Sequence, residues 1–218
     1  SFFALVDANG FILPLTTAQD HKKIGEGDTG LNTGGMGAYS PVPFIKQNQI
    51  SDFVIKFVKP VIDDLKHNNI FFSGVFYAGL ILTKYGPKLL EINVRFGDPE
   101  VQAVLPRLKA DLLDLLLACS KGRLDQFRSI EWDTNFCINV VMASKGYPKS
   151  YEKNTIINGL NKITVDKSQY IFHSSTKKNE DHWLATGGRV LSISALGSTL
   201  KEARNKAYNV INKIDWKS

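Results

Sequence analysis

The protein has 218 residues, of which 43% are hydrophobic, 11% aromatic and 22% charged, so its composition is that of an ordinary globular protein. A chain of this length buries roughly 70% of the surface that it exposes when unfolded, and we therefore expect a substantial hydrophobic core. The formal net charge is +6, but the basic residues are scattered and form no long run. This distribution suits small anionic ligands, while a basic module that binds nucleic acid is the alternative from another functional class.

Cysteine content and hydropathy exclude further classes. The only cysteines are Cys119 and Cys137, too few for a disulfide framework or a cysteine-based zinc site. No apolar stretch approaches the roughly 18 residues of a membrane span, and no signal peptide is recognisable. We therefore expect a cytoplasmic protein that does not bind membranes. Because the chain opens directly on strand-like residues, we also expect it to be part of a longer polypeptide.

The first part of the chain has the pattern of an α+β domain with antiparallel strands, over residues 1–130. An Asn9-Gly10 turn joins two strand-like runs, and apolar residues at three-and-four spacing indicate a long helix in which Pro60 predicts a kink near residue 59. The predicted elements are strands 2–6 and 11–17, helix 47–67, strands 74–82 and 88–96, and helix 111–118.

The remaining residues, 131–218, predict a second, smaller domain of mixed α/β type. Strands are indicated at 135–143, 170–173 and 189–195, followed by a helix over 200–214. Thr199 and Glu202 are spaced as a capping box at the start of this helix, and its apolar residues share one face. We expect the helix to cover a sheet.

Between the first two strands and the long helix, residues 18–43 lose apolar periodicity and become rich in glycine. We predict one long structured loop there, which is uncommon in a compact domain unless the loop belongs to a site. The glycines of residues 32–37 would let backbone N–H groups approach a ligand closely. A mobile surface loop is the alternative interpretation.

The most informative segment is residues 89–100 (LLEINVRFGDPE). Side chains alternate along a strand, so Glu91, Asn93 and Arg95 are predicted to share one face. A carboxylate and an amide oxygen suit magnesium, and a guanidinium binds phosphate oxygens bidentately, which together indicate phosphoryl transfer. A solvated strand face is the alternative, although the turn at 97–100 favours a site because it returns two more carboxylates to the same edge. The opposite face is predicted to be core: Leu90, Ile92 and Val94.

Several segments together resemble the phosphoribosylamine–glycine ligase family, and the resemblance covers nearly the whole chain. They are residues 17–22 (TAQDHK), 27–30 (GDTG), 32–41 (NTGGMGAYSP), 91–100 (EINVRFGDPE), 146–148 (GYP), 172–173 (FH) and 186–191 (TGGRVL). The resemblance implies an ATP-grasp lobe over 1–130, followed by a C-terminal domain. It also implies that glycine, ATP and 5-phosphoribosylamine are converted to glycinamide ribonucleotide in purine biosynthesis.

The resemblance also implies residue roles. Glu91 and Asn93 would be the magnesium or manganese ligands, and Arg95, Asp20 and Lys22 would be catalytic. No protein nucleophile is needed, because ATP would phosphorylate the glycine carboxylate directly. The substrate-binding residues would be His21, Asn32, Thr33, Gly34, Gly35, Met36, Gly97, Asp98, Pro99 and Glu100.

The implied partners are two small-molecule substrates, glycine and 5-phosphoribosylamine. We expect the protein to be a cytoplasmic monomer that binds no nucleic acid. The alternative within enzymes is another ATP-grasp carboxylate–amine ligase or carboxylase, which would share the metal-binding strand but not the loop at 27–41. In the family, a Rossmann-like domain and the lobe that holds the ATP phosphates precede this region. We therefore expect these 218 residues to be inactive alone.

Overall fold

The structure is a computed structural model that describes residues 1–180 and 182–216. No helix among these residues is both long and apolar enough to cross a membrane. The α-helices are α1 Gln47–Phe53, α2 Lys59–His67, α3 Val101–Val104, α4 Leu112–Ser120 and α5 Leu200–Ile211. The strands are β1 Phe2–Val6, β2 Ile12–Thr17, β3 Gln19–Asp20, β4 Lys23–Gly25, β5 Thr29–Asn32, β6 Gly37–Ser40, β7 Gly74–Thr83, β8 Gly86–Asn93, β9 Phe136–Ala143, β10 Thr155–Asn158, β11 Gln169–His173, β12 Thr176–Asn179, β13 His182–Ala185, β14 Arg189–Gly197 and β15 Asp215–Trp216.

These elements form two compact units, and both units are discontinuous in sequence. The second unit contains Asp20 of β3, β4 to β6 and α3 in addition to β9 and the described residues that follow it, because β3 and β6 belong to the same sheet as β9 and β14. Sequence reasoning placed a single boundary near residue 130, and the compact units divide the chain differently. The first unit comprises Ser1–Gln19, Pro41–Gly97 and Leu108–Asp133, and the second comprises Asp20–Ser40, Asp98–Arg107 and the described residues from Thr134 onward.

The first unit is built on an antiparallel sheet of order β2-β1-β7-β8, which confirms the predicted α+β class and both hairpins. One face of β1 and β7 packs against α1, α2 and the segment between them, and burial of this apolar surface stabilises the unit. Its buried residues are Phe2, Ala4, Val6, Phe76 and Ala78 from the sheet and Ile50, Phe53, Phe57, Val58 and Ile62 from the helical segment.

A buried carboxylate organises the first hairpin turn. Asp7 is 1% exposed, and its Oδ1 accepts hydrogen bonds of 3.0 Å from the backbone N–H groups of Asn9 and Phe11. Its Oδ2 accepts a third, of 3.1 Å, from the N–H of Leu124. Gly10 adopts a φ of 81°, a left-handed conformation that glycine takes without steric cost. The predicted Asn9-Gly10 turn is confirmed, and Asp7 supplies its hydrogen bonds.

The predicted long helix is interrupted, as its proline suggested. Residues Val54–Val58 form a π-helical segment between α1 and α2, and the N–H of Lys59 donates to the carbonyl of Val54, five residues earlier. Pro60 lies in the first turn of α2. A backbone N–H in that turn has no acceptor within the helix, so a proline there costs α2 no hydrogen bond. The irregularity therefore precedes Pro60 and accommodates it.

The second unit is built on a five-stranded sheet of order β11-β14-β9-β6-β3, with α5 packed against β14 and β9. It also contains a four-stranded sheet, β12-β13-β10-β15, and the β4-β5 hairpin. The strands of the four-stranded sheet were not predicted, because they are short and carry little apolar alternation. The buried residues on the two sides of the α5 contact are Val190, Leu191, Ile193 and Ala195 from β14 and Ala207 and Val210 from α5.

The N-terminus of α5 is capped as predicted, although the helix ends at Ile211 rather than at residue 214. The hydroxyl of Thr199 accepts from the N–H of Glu202 at 3.1 Å. The Glu202 carboxylate in turn accepts from the N–H of Ser198 at 2.8 Å and from its hydroxyl at 2.6 Å, one residue before the usual position. Lys206 lies 2.9 Å from the same carboxylate.

We predict that Glu202→Gln destabilises the protein at neutral pH and that the effect fades in acid. The hydrogen bond from the Ser198 hydroxyl, followed by the contacts with Lys206 and the Ser198 N–H, lowers the pKa of Glu202 from 4.5 to about 2. A lowered carboxyl pKa contributes stability that is present above the unfolded-state pKa and is lost as the pH falls through the folded-state value. Urea unfolding from pH 7 to pH 3 should show the difference narrowing below about pH 4.5. Glu152→Gln, at an exposed position, is the control, and a difference as large at pH 3 as at pH 7 would contradict the prediction.

Candidate active site

The predicted site residues fall into two groups, one in each compact unit. Glu91, Asn93, Arg95 and Gly97 belong to the first unit. Asp20, His21, Lys22, the segment 32–36 and the turn at 98–100 belong to the second.

In the first group, β8 places Glu91 and Asn93 on one face. Its antiparallel register pairs Glu91 with Gly79 and Asn93 with Tyr77 of β7, and the ladder is irregular between Gly79 and Leu80. A Cβ at Gly79 would lie 2.8 Å from Cγ of Glu91, so the glycine makes room for that side chain. Bulges of this kind are frequent beside active sites because they re-aim a side chain. A carboxylate and an amide oxygen are thus brought to one surface.

Arg95 lies outside the strand, which corrects the prediction that it continues the alternation. The strand β8 ends at Asn93, and Arg95 occupies the bend that follows. Its guanidinium donates from Nη1 to the carbonyl of Phe96 at 2.9 Å and from Nη2 to Oδ1 of Asn93 at 3.4 Å. The guanidinium therefore reaches the amide of Asn93 because the chain turns, and the two groups form one polar cluster.

The prediction that the apolar face of this strand is core is wrong. Leu90, Ile92 and Val94 are 67%, 39% and 70% exposed. Alternation decides which side chains share a face, but only a second layer of structure can bury that face. Within the described residues β8 is the last strand of its sheet, and no such layer covers these side chains.

The donor atoms on β8 fit magnesium or manganese shared with phosphate. No group of three or more His, Cys, Asp or Glu side chains suited to a metal occurs among the described residues. Glu91 and Asn93 supply oxygen, which hard cations prefer, but two protein ligands leave most of an octahedral shell to water and substrate. The residues therefore suit a metal that binds together with a nucleotide rather than one held by the protein alone.

In the second group, Asp20 is a buried carboxylate with incomplete hydrogen bonding. Its side chain is 7% exposed, Oδ2 lies 3.4 Å from Nζ of Lys22, and Oδ1 has no hydrogen-bond partner among the described residues. Burial raises the pKa of Asp20, the negative charge of Glu100 adds to the effect, and Lys22 opposes it. Perturbed, under-satisfied carboxyl groups of this kind are concentrated at functional sites.

The segment 33–36 is tied to the backbone of residues 21–22. The N–H and the hydroxyl of Thr33 both donate to the carbonyl of Lys22 at 2.8 Å. The same hydroxyl accepts from the N–H of Gly35 at 3.0 Å, and the N–H of Met36 donates to the carbonyl of His21 at 2.8 Å. Thr33 is one of the residues predicted to bind substrate, and its hydroxyl takes part in shaping the loop.

The prediction of one long loop over residues 18–43 is wrong, because four short strands, β3 to β6, interrupt it. Asn32 ends β5 and pairs with Lys23 of β4, which leaves residues 33–36 as the irregular part. The glycines and polar residues of β4 and β5 conceal any apolar alternation. Here the hairpin and the pairing of β6 with β9 override weak local propensity.

Gly35 brings this loop against the turn at 98–100. A Cβ on Gly35 would collide with the ring of Pro99 and lie 2.9 Å from Oδ1 of Asp20, and φ is 107°. Pro99 follows a cis peptide bond and, like Glu100, is buried, whereas Asp98 is exposed and accepts from Nε2 of Gln102 at 3.2 Å. Only glycine fits here, so three of the predicted substrate-side segments meet at one position.

Sequence reasoning assigned no role to two residues that hold this loop. Arg189 donates from Nη1 to the carbonyl of Gly34 at 2.8 Å and to that of Asp98 at 3.0 Å. The hydroxyl of Tyr147 accepts from the N–H of Gly34 at 3.1 Å. Both lie in motifs of the resemblance, but they are more than 100 residues from Gly34, and no local spacing indicates the contact.

Comparison with known protein families matches most of the chain in two parts. Residues 1–101 match the family described as phosphoribosylglycinamide synthetase, ATP-grasp (A) domain. Residues 137–218 match phosphoribosylglycinamide synthetase, C domain. The first match includes the predicted metal ligands and the loop, and the second includes Tyr147 and Arg189.

Individual relatives agree with this match. The chain is 44% identical over 218 residues to phosphoribosylamine–glycine ligase of Agrobacterium fabrum, covering 100% of this chain and 51% of the relative. It is 46% identical over 220 residues to the enzyme of that name from Vigna unguiculata, covering 99% of this chain and 70% of the relative. The crystal structure of phosphoribosylamine–glycine ligase from Thermotoga maritima superposes with a TM-score of 0.85 at 28% identity, covering 99% of this chain and 52% of that one.

The share of each relative's length that the chain covers differs among these matches. The chain spans about half the length of most of these relatives, so the comparison identifies a family and its ATP-grasp fold over the region matched. The identity with the Vigna relative, over more than two thirds of that relative, is too high for a shared fold alone. The chain therefore belongs to the phosphoribosylamine–glycine ligase family.

Proposed function

We propose that the polypeptide carrying this chain ligates glycine to 5-phosphoribosylamine at the expense of ATP, giving glycinamide ribonucleotide for purine biosynthesis. The observation that carries the proposal is the identity of 44% to 46% with relatives named phosphoribosylamine–glycine ligase, which extends over essentially the whole chain. That shared name favours this reaction over those of other ATP-grasp ligases.

The reaction has two steps. The glycine carboxylate attacks the γ-phosphorus of ATP, forming glycyl phosphate and releasing ADP. The amine of phosphoribosylamine then attacks the acyl carbon, phosphate leaves, and the nitrogen loses a proton to give the amide. Positioning of the reactants and neutralisation of phosphate charge account for most of the catalysis in reactions of this type.

The residues of β8 and its following bend would act on the ATP side. We assign Glu91 and Asn93 to hold magnesium or manganese, which neutralises phosphate charge when bound. We assign Arg95, which donates to Oδ1 of Asn93, to bind an oxygen of the transferred phosphoryl group.

The residues of the second unit would act on the glycine and phosphoribosylamine side. Asp20 orients the ammonium of Lys22, whose side chain is 54% exposed and offers a positive charge to an anionic substrate. The backbone of residues 33–36 and the turn at 98–100 would bound the same site. His21 and Asn32 flank it, the ring of His21 lying 5.8 Å from that of Tyr39.

We further propose that the protein acts as a monomer in the cytoplasm and binds neither nucleic acid nor membranes. Cys119 and Cys137 are both buried and free, which suits a reducing compartment. Burial raises the pKa of the Cys137 thiol to about 12, so this thiol is unreactive at neutral pH.

The test of the proposed function is an assay of ADP release by the natural full-length polypeptide that carries this chain. We expect release that requires both glycine and phosphoribosylamine, with glycinamide ribonucleotide identified by mass spectrometry. Reactions that lack one of the two substrates are the controls. ADP release that continues at the same rate without glycine would contradict the proposal.

We predict that Glu91→Gln raises the magnesium concentration that activity requires. Loss of the only charged oxygen donor on this strand face should raise the magnesium concentration for half-maximal rate by at least about tenfold, the lower range for lost metal-site partners. A magnesium titration at saturating substrates measures the shift, with Glu152→Gln as the control. An unchanged titration would exclude Glu91 as a ligand.

We predict that Arg95→Lys is not a conservative change. A lysine ammonium is a point charge and cannot replace a planar fork that binds two oxygens at once. We expect kcat to fall by about 100-fold, or roughly 3 kcal/mol, as when one preorganised donor is removed. Arg128→Lys, at an exposed position of the same unit, is the matched control. A kcat near that of the control would rule out the assigned role.

A further inference from the structure

The side chain of Arg189 contacts two separate backbone segments of the second unit. It is the first residue of β14, and its side chain is 23% exposed. A single nitrogen, Nη1, lies 2.8 Å from the carbonyl oxygen of Gly34, 3.3 Å from that of Gly35 and 3.0 Å from that of Asp98. The same nitrogen lies 3.3 Å from Oδ1 of Asp98. Four acceptors from two segments therefore converge on one cationic group.

This convergence stabilises the loop in one conformation. Carbonyl oxygens that point toward each other repel unless a donor lies among them, and a guanidinium stays charged at every accessible pH. Hydrogen bonds to a charged group are also stronger than those between neutral groups. Removing the guanidinium would leave the carbonyls of Gly34, Gly35 and Asp98 to find water or to move apart.

Tyr147 contacts the same loop at the backbone N–H of Gly34. Its hydroxyl accepts from the N–H of Gly34, whereas Arg189 binds the carbonyl of that residue. A Cβ on Gly34 would lie 3.2 Å from Cζ of Arg189, and a Cβ on Gly188 would collide with the ring of Tyr147. Both polar groups of the Gly34 backbone are thus engaged by side chains from distant parts of the second unit.

We propose that Arg189 is a positioning residue for the ligation, acting through the loop at 33–36 and the turn at 98–99. The inference rests on the proposed function, which assigns these two segments to the glycine and phosphoribosylamine side. Arg189 donates to the carbonyls of both segments, and Gly35 packs against Pro99 and Asp20 beside these contacts. The groups assigned to ATP and metal lie in the other unit.

The kinetic test compares Arg189→Met, Arg189→Lys and Arg204→Met in the natural full-length polypeptide. Arg204 lies on α5 of the same unit, stacks on Tyr208 and is the matched control. For Arg189→Met we expect the KM for glycine or phosphoribosylamine to rise by about 10- to 100-fold, the loss typical of a hydrogen bond to a charged group. The KM for ATP should stay near that of the control. Arg189→Lys should restore part of the loss, because one ammonium can replace one donating nitrogen.

A second measurement does not depend on activity. Amide hydrogen exchange in the same variants should accelerate at Gly34, Gly35 and Met36 in Arg189→Met, while the amides of α5 keep their protection. Local acceleration together with an unaltered KM for both substrates would overturn the inference, as would acceleration throughout the unit. If the wild type lacks the ligase activity but amide exchange still accelerates locally in Arg189→Met, the proposed function fails, while the conclusion that Arg189 holds the loop at 33–36 remains.

Discussion

The pairing of β6 with β9 is the constraint on which the second unit's candidate site depends. Gly37 begins β6, and a Cβ there would lie 2.7 Å from the carbonyl oxygen of Asn139, so the strands approach this closely only because the residue is glycine. The N–H of Val141 donates to the carbonyl of Met36 at 2.9 Å, which fixes the end of the loop. The buried amide of Asn139 donates to the carbonyl of Pro99 at 3.2 Å. One strand therefore anchors both the loop and the turn.

Two buried aspartates illustrate how structural and functional polar groups differ. Asp7 accepts three backbone hydrogen bonds and organises a turn, so the cost of burying its charge is offset within the first unit. Asp20 has an ion pair with Lys22 and, among the described residues, an oxygen without a hydrogen-bond partner, and burial raises its pKa. A protein tolerates such a cost where the group serves a ligand, which is why we assign Asp20 to the site.

The first unit contributes chemistry of a different kind. Glu91 and Asn93 supply only two oxygen ligands from one strand face, and such a pair suits a cation that the phosphates of a nucleotide help to hold. Arg95 adds a donor beside them through a bend rather than through the strand. In our proposal the charge-neutralising groups belong to the first unit and the substrate-side groups to the second.

Local patterns in the sequence were sufficient to predict many of the turns, helix caps and strand faces of this protein. Turn chemistry at Asn9-Gly10, the capping residues of α5 and the alternation that aligns Glu91 with Asn93 all act within a few residues, so spacing reveals them. The motifs also identified the family. Only the tertiary structure decided that β8 exposes its apolar face and that β3 to β6 interrupt the predicted loop. It also revealed the hydrogen bonds of Arg189 and Tyr147 to the backbone of Gly34. Each of these depends on which distant element lies alongside, and sequence spacing carries no information about such contacts.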